Sequence, residues 1–165
     1  MAIDLSIEIA LLLERWQGIV NMMAQVAEVP CVLINRLDKN EICVQAVGSV
    51  SKPAFYCDEP IPLALNSYCS QVIASHQPLL VENAIGTRYE NNNPTFAAGF
   101  SYYYGLPLLW PSGETFGTLC MLDGQAQTGH HNTVPYSHSL SRLLNMICNC
   151  CSNNKSSSSV SNKQT

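Results

Sequence analysis

Positive charge is scarce in this chain: lysine and arginine number 8 against 12 acidic residues, and the net charge is −4. A surface so poor in cations offers no footprint for a phosphate backbone or an anionic membrane, which argues against nucleic acid and lipid as partners. Long apolar runs are missing too. No stretch approaches the roughly 20 residues a spanning helix needs, and the N-terminus "MAIDLSIEIALLLERW" carries acidic residues where an export signal carries basic ones. The expectation is a soluble, cytoplasmic protein. Catalytic signatures are equally sparse. There is no Walker or GxGxxG loop, no Ser/His/Asp arrangement and no carboxylate pair that can be placed together, so no catalytic residue is assigned.

Cysteine, by contrast, is plentiful at eight residues, and without an export signal reduced thiols are the default. Cys31, Cys43, Cys69 and Cys120 sit inside apolar patterns, where a free cysteine behaves as a small core hydrophobe. Cys148, Cys150 and Cys151, with His130, His131 and His138 upstream, lack the paired C-x2-C spacing of a zinc motif. Three cysteines at i, i+2 and i+3 of a helix also cannot converge on one tetrahedral ion, so no metal site is assigned.

Along the chain, apolar residues at helical spacing from Leu5 to Val26 predict a first helix over 3–27, with an apolar surface wider than one core face needs. "CVLINRL" and "EICVQAVGSV" read as a strand pair across Asp38, Lys39 and Asn40. The Pro-rich "SKPAFYCDEPIP" reads as loop, and Asn66 or Ser67 can cap a middle helix. "LLVEN" reads as a short buried strand. A long loop with one helical turn near Thr95–Ala98 follows, and loops of this length are often binding loops.

The stretch "YYYGLPLLWPSGETFGTLCMLDG" carries two strands, apolar on both faces, around a turn in which Gly113 can take a left-handed conformation. Pro135 opens a last helix carrying Leu140, Leu143, Leu144 and Ile147. The Ser/Asn-rich residues 152–165 have no apolar pattern and are expected to be a disordered tail after a single domain over 1–151. The fold class is α+β: a central antiparallel sheet, terminal helices on one face, and the middle helix with its loops on the other.

The segments "WQGIVNMMAQVAEVPCVLINRL", "SYCSQVIASHQPLLVENA" and "TRYENNNPTFAAGFSYYYGLPLLWPSGETFGTLCMLD" resemble, in order and spacing, a GAF domain of the subtype found in bacterial sensor histidine kinases and diguanylate cyclases. The resemblance covers roughly residues 10–150, and its most specific part is "YYGLPL" with "FGTLCMLD" across the turn. It implies a GAF-like fold whose middle helix and loops form a pocket, and whose terminal helices over 5–20 and 136–150 form a homodimer. It also implies a regulatory role in signal transduction within a histidine kinase or diguanylate cyclase pathway. No such output sequence follows Cys151, so the expectation is either a free-standing sensory module without its own output domain or a fragment of a larger sensor.

The resemblance further narrows the ligand. Bilin-binding members place His after the linking Cys, whereas Ser70 follows Cys69 and Met121 follows Cys120 here. The cyclic-nucleotide signature N-K-x-x-F is missing, and Asn83 stands where the family usually has an acidic residue before Ala84. An alternative is a thiol-dependent enzyme like the free methionine-R-sulfoxide reductases, which have a cysteine at the start of the middle helix, roughly where Cys69 stands. Their Gly-rich approach to that helix and their second pocket cysteine do not match.

For a ligand of unknown identity, the expected pocket residues are Tyr68, Val81, Arg88, Tyr89, Phe96, Tyr102, Tyr104, Thr118 and Cys120, a mostly apolar set with a few directed polar groups. Tyr102 and Tyr104 read equally well as core strand residues, and Arg88 as a loop ion-pair partner.

Overall fold

A computed structural model describes residues 5–49, 54–110 and 112–125 of the chain. The last helix, the tail, the three clustered histidines and the three C-terminal cysteines of the sequence reading lie outside the described residues, as does Pro111.

Helix α1 spans Leu5–Ala27. It buries Trp16, Val20, Met23 and Ala24, whose spacing of four, three and one residues puts them on one face. Each large apolar side chain buried in this way contributes about 1.5–3 kcal/mol. Glu28 ends the helix in a left-handed conformation, φ 54°, and the Val29 amide donates back to the Ala24 carbonyl.

Six strands follow: β1 Cys31–Asp38, β2 Glu41–Ser49, β3 Pro60–Pro62, β4 Leu79–Val81, β5 Tyr102–Leu109 and β6 Thr115–Asp123. They form one sheet in the order β3-β2-β1-β6-β5-β4, with every neighbour pair antiparallel. Between β3 and β4 comes α2, Tyr68–Ser75, and between β4 and β5 come a 3-10 turn at Arg88–Glu90 and the short α3 at Pro94–Ala97.

Two short strands differ from the sequence reading. The Pro-rich segment expected as loop supplies β3, because at a sheet edge a proline need not donate to the ladder; Pro62 pairs with Glu41 and Pro60 with Cys43. "LLVEN", expected as buried, supplies only the other edge strand, so Leu80 remains exposed.

Two cores result. On the α1 face, Trp16, Val20, Met23 and Ala24 pack against Val32, Ile34, Ala46, Tyr102, Tyr104, Leu106, Leu108, Phe116, Leu119 and Met121. Gln17 fixes this docking by donating to the Val47 carbonyl at 2.6 Å and accepting from the Val47 amide at 3.4 Å. On the opposite face, α2 and the 3-10 turn bring Tyr68, Cys69, Val72 and Tyr89 onto Leu33, Val44, Tyr103, Cys120 and Leu122.

One-residue irregularities decide which side chain goes to which core. Opposite Ile34 and Asn35 stand Ala46 and Val44, so Gln45 is an extra residue in β2. Opposite Leu108 and Leu109 stand Gly117 and Thr115, so Phe116 is an extra residue in β6. Phe116 therefore joins Leu119 and Met121 on the α1 face, where it meets the Trp16 and Trp110 rings edge-on.

Candidate functional site

Within the largely apolar α2 face, four elements assemble a buried polar cluster around two thiols. Asn35 comes from β1, Tyr103 from β5, Thr118 and Cys120 from β6, and Cys69 from the first turn of α2. All five side chains are buried.

Local chemistry sets each in place. Ser67 caps α2, its hydroxyl accepting from the Ser70 amide, and so starts the helix with Cys69 in the first turn, facing the sheet. Register puts Gly105 opposite Cys120. A Cβ at Gly105 would collide with the Tyr103 hydroxyl, so the absent side chain is what lets the phenol run along the strand to the sulfurs.

The contacts converge on two thiols. The Cys69 and Cys120 sulfurs are 3.6 Å apart, and the Tyr103 hydroxyl lies 3.6 Å from the first and 3.3 Å from the second. The Thr118 hydroxyl donates to Cys69 at 3.5 Å and accepts from the Cys120 thiol at 3.3 Å. Asn35 Nδ2 donates to Thr118 Oγ1 at 3.3 Å, with Cys120 Sγ at 3.6 Å and Cys69 Sγ at 3.9 Å. The Asn35 carbonyl oxygen, equally buried, has no hydrogen-bond partner among the described residues.

These surroundings separate the two thiols. Hydrogen bonding from Cys120 is the main influence lowering the Cys69 pKa; burial opposes it, while Thr118, Tyr103 and Asn35 lower it further, bringing it to about 7. Its place in the first turn of α2 works in the same direction. Burial raises Cys120 well above the usual thiol range, and the neighbouring Cys69 adds to the effect. Burial likewise raises the Tyr103 phenol. One thiol is thus poised to ionise beside two groups that stay protonated.

An aromatic layer leads outward from the cluster. Tyr103 stacks on Tyr68 with centroids 4.6 Å apart, and Tyr68 meets Tyr89 at 5.3 Å. Arg88 lies 4.8 Å over the Tyr89 ring and donates to the Tyr89 hydroxyl and to Gln71 Oε1. Among the described residues its partners are an aromatic face and neutral acceptors, where the sequence suggested an ion pair.

The structure gathers Tyr68, Val81, Tyr89, Thr118 and Cys120 in or beside the cluster, with Phe96 packed at its margin and Arg88 outside Tyr89. It does not bring Tyr102 and Tyr104 there: both belong to the α1 core. The cause is the extra residue Phe116. Pairing continued without it from Leu109 and Thr115 would set Tyr104 opposite Cys120. The real register sets Tyr104 opposite Met121 and moves Tyr103 to the thiol side. Asn35 and Tyr103 were not anticipated. Asn35 is legible only as a polar residue inside the apolar "CVLINRL".

Among the described residues, no group of three or more His, Cys, Asp or Glu is arranged to hold a metal ion. No described helix is long and apolar enough to cross a membrane.

Comparison with solved structures finds the same fold at low identity. The phycoerythrobilin-bound GAF domain of a cyanobacterial phytochrome is 10% identical, with a TM-score of 0.72, covering 94% of this chain and 100% of that one. The free methionine-R-sulfoxide reductase of Neisseria meningitidis, in complex with its substrate, is 14% identical, with a TM-score of 0.68, covering 92% and 89%. The GAF domain of a two-component sensor histidine kinase from Bacillus halodurans is 12% identical, with a TM-score of 0.59, covering 78% and 89%. A search of curated proteins finds no match. A family model described as GAF domain matches residues 12–153. With that match over most of its length, and with the six-stranded antiparallel sheet between its two cores, the chain belongs to the GAF domain family.

Proposed function

We propose that the chain is a regulatory, sensory GAF module that binds a small molecule on the α2 face and dimerises in intracellular signal transduction. The observation that carries the reading is the polar cluster of Asn35, Tyr103, Thr118 and the two thiols inside an otherwise apolar layer, with the buried Asn35 carbonyl oxygen unpartnered among the described residues. A few directed polar groups in an apolar surround are what a small-molecule site needs, and a ligand donor would satisfy that oxygen. Entry requires α2 or the 84–100 segment to move aside, which would couple occupancy to the rest of the domain. Dimerisation is supported by Leu11, Met22 and Val26, exposed on α1.

In this reading the module acts in the cytoplasm on a histidine kinase or diguanylate cyclase pathway. Mass spectrometry of small molecules released from the purified protein tests the ligand. A copurifying compound that raises the melting temperature of wild type, and does so less for Asn35→Ala, supports the reading. A protein that releases nothing and is stabilised by no member of a metabolite panel counts against it.

One observation favours a second reading. Cys69, in the first turn of α2 and lowered to a pKa of about 7, has the ionisation a nucleophilic thiol needs, as in a free methionine-R-sulfoxide reductase. Incubation with free methionine sulfoxide and a thiol reductant should then yield methionine in wild type and none in Cys69→Ser. Absence of turnover in wild type dismisses it.

A further inference from the structure

We propose that Cys69 and Cys120 are a peroxide-oxidisable dithiol whose disulfide ties α2 to the central strand β6. The proposal needs neither a bound ligand nor a sulfoxide substrate. It rests first on position: the sulfurs are in contact at 3.6 Å, although 51 residues separate them and different elements carry them. A bond between them would join the only α-helix of eight or more residues on that face, among the described residues, to the middle of the sheet.

It rests second on what surrounds the sulfurs. Cys120, Tyr103 and Thr118 can each donate to a charged Cys69 sulfur, at 3.6, 3.6 and 3.5 Å. The other described cysteines lack this setting. Cys31 is buried and held protonated, with a pKa of about 12, while Cys57 is exposed and donates to the Gln45 carbonyl.

The chemistry balances with hydrogen peroxide as oxidant. The Cys69 thiolate attacks one peroxide oxygen; the O–O bond breaks, sulfur becomes a sulfenic acid, and hydroxide leaves and takes up a proton as water. Cys120 sulfur then attacks the sulfenic sulfur. The S–O bond breaks, the S–S bond forms, and the departing hydroxide leaves with the Cys120 proton as a second water. Two thiols lose two electrons and two protons, and one peroxide becomes two waters. Peroxide, little larger than water, reaches Cys69 when the first turn of α2 lifts from the sheet; Leu65, four residues upstream, is already 89% exposed.

The test uses the full-length chain, reduced and then freed of reductant. After hydrogen peroxide treatment, free thiols are alkylated in denaturant and the protein is digested without reduction. Tandem mass spectrometry should find a peptide carrying Cys69 linked to one carrying Cys120, and the link should disappear when a thiol reductant is added before alkylation. In Cys120→Ser the reaction should halt at a sulfenic acid that dimedone traps on Cys69. The wild-type result stands by itself if the variant does not fold. Cys69 and Cys120 both recovered alkylated while Cys57 is oxidised would overturn the proposal, as would dimedone trapping on Cys120 rather than Cys69 in the wild type.

Discussion

Cys69 and Cys120 touch through their sulfurs at 3.6 Å, yet their acidities move in opposite directions, Cys69 down and Cys120 up. A pair that shares hydrogen-bond donors in a buried site cannot carry two charges, so the site holds one. The groups facing Cys69 are Cys120 and Thr118 from β6, Tyr103 from β5 and Asn35 from β1. Lowered to a pKa of about 7 by its neighbours, Cys69 ionises more readily at neutral pH than an ordinary thiol. Its alkylation rate by iodoacetamide should therefore rise with pH through a midpoint near 7 and level off, with Cys120 unreactive over the same range. Peptide-resolved labelling from pH 5 to about 10 reads this directly. A Cys69 midpoint at 9 or above means that its neighbours do not favour the thiolate.

Tyr103→Phe isolates one of those neighbours. The hydroxyl contacts both sulfurs, and its ring is held by stacking on Tyr68, so the substitution removes the donor and leaves the packing. The Cys69 midpoint should move upward, because the phenol is among the groups that lower it. Stability should fall by about 0.5–1.5 kcal/mol for the lost hydrogen bonding. Urea denaturation and the labelling profile measure the two effects; a variant that changes neither would mean that the phenol is a spectator.

Much of this fold was legible because its signals are local. The helical spacing of Trp16, Val20 and Met23, the Ser67 cap and the positive φ of Gly113 each follow from a few adjacent residues, and each is found where expected. The site was less legible because it depends on register. A single extra residue, Phe116, decides whether Tyr104 or Tyr103 meets Cys120, and no residue near it announces a bulge. Asn35 shows the same limit: which face of β1 meets α2 is set by pairing with β6, 83 residues away at Thr118. Pro60 and Pro62 pair at an edge because β2 is there to pair with, which their own sequence does not reveal.

Two glycines should fail for different reasons. Gly48 lies against α1, where a Cβ would collide with the Val20 carbonyl, so Gly48→Ala must push the helix off the sheet and should cost about 1–3 kcal/mol. Gly113 has open space around it but sits at φ 86°, so Gly113→Val meets no neighbour and loses only through backbone strain, about 1–2 kcal/mol. Amide hydrogen exchange should separate them: Gly48→Ala speeds exchange along α1, and Gly113→Val does not. The same α1 exchange in both would contradict this account of α1 docking.

The last prediction concerns the outer surface of α1. At about 1.5 Å per residue its 23 residues run about 34 Å, whereas the eight-residue β1 beneath it runs about 27 Å, so the helix outreaches the strand it covers. Its buried side, at Trp16, Val20, Met23 and Ala24, is already committed to the sheet. Leu11, Met22 and Val26 are left exposed on the side away from the sheet, with Val26 at 67%. A second copy burying these residues would remove apolar surface from water without disturbing the first core. Leu11→Glu with Met22→Glu places charge on that surface only, so light scattering at tens of micromolar should give a dimer mass for wild type and a monomer mass for the variant, with unchanged melting temperature for the core. A wild type that is already monomeric at that concentration ends the dimer reading, whatever the variant does.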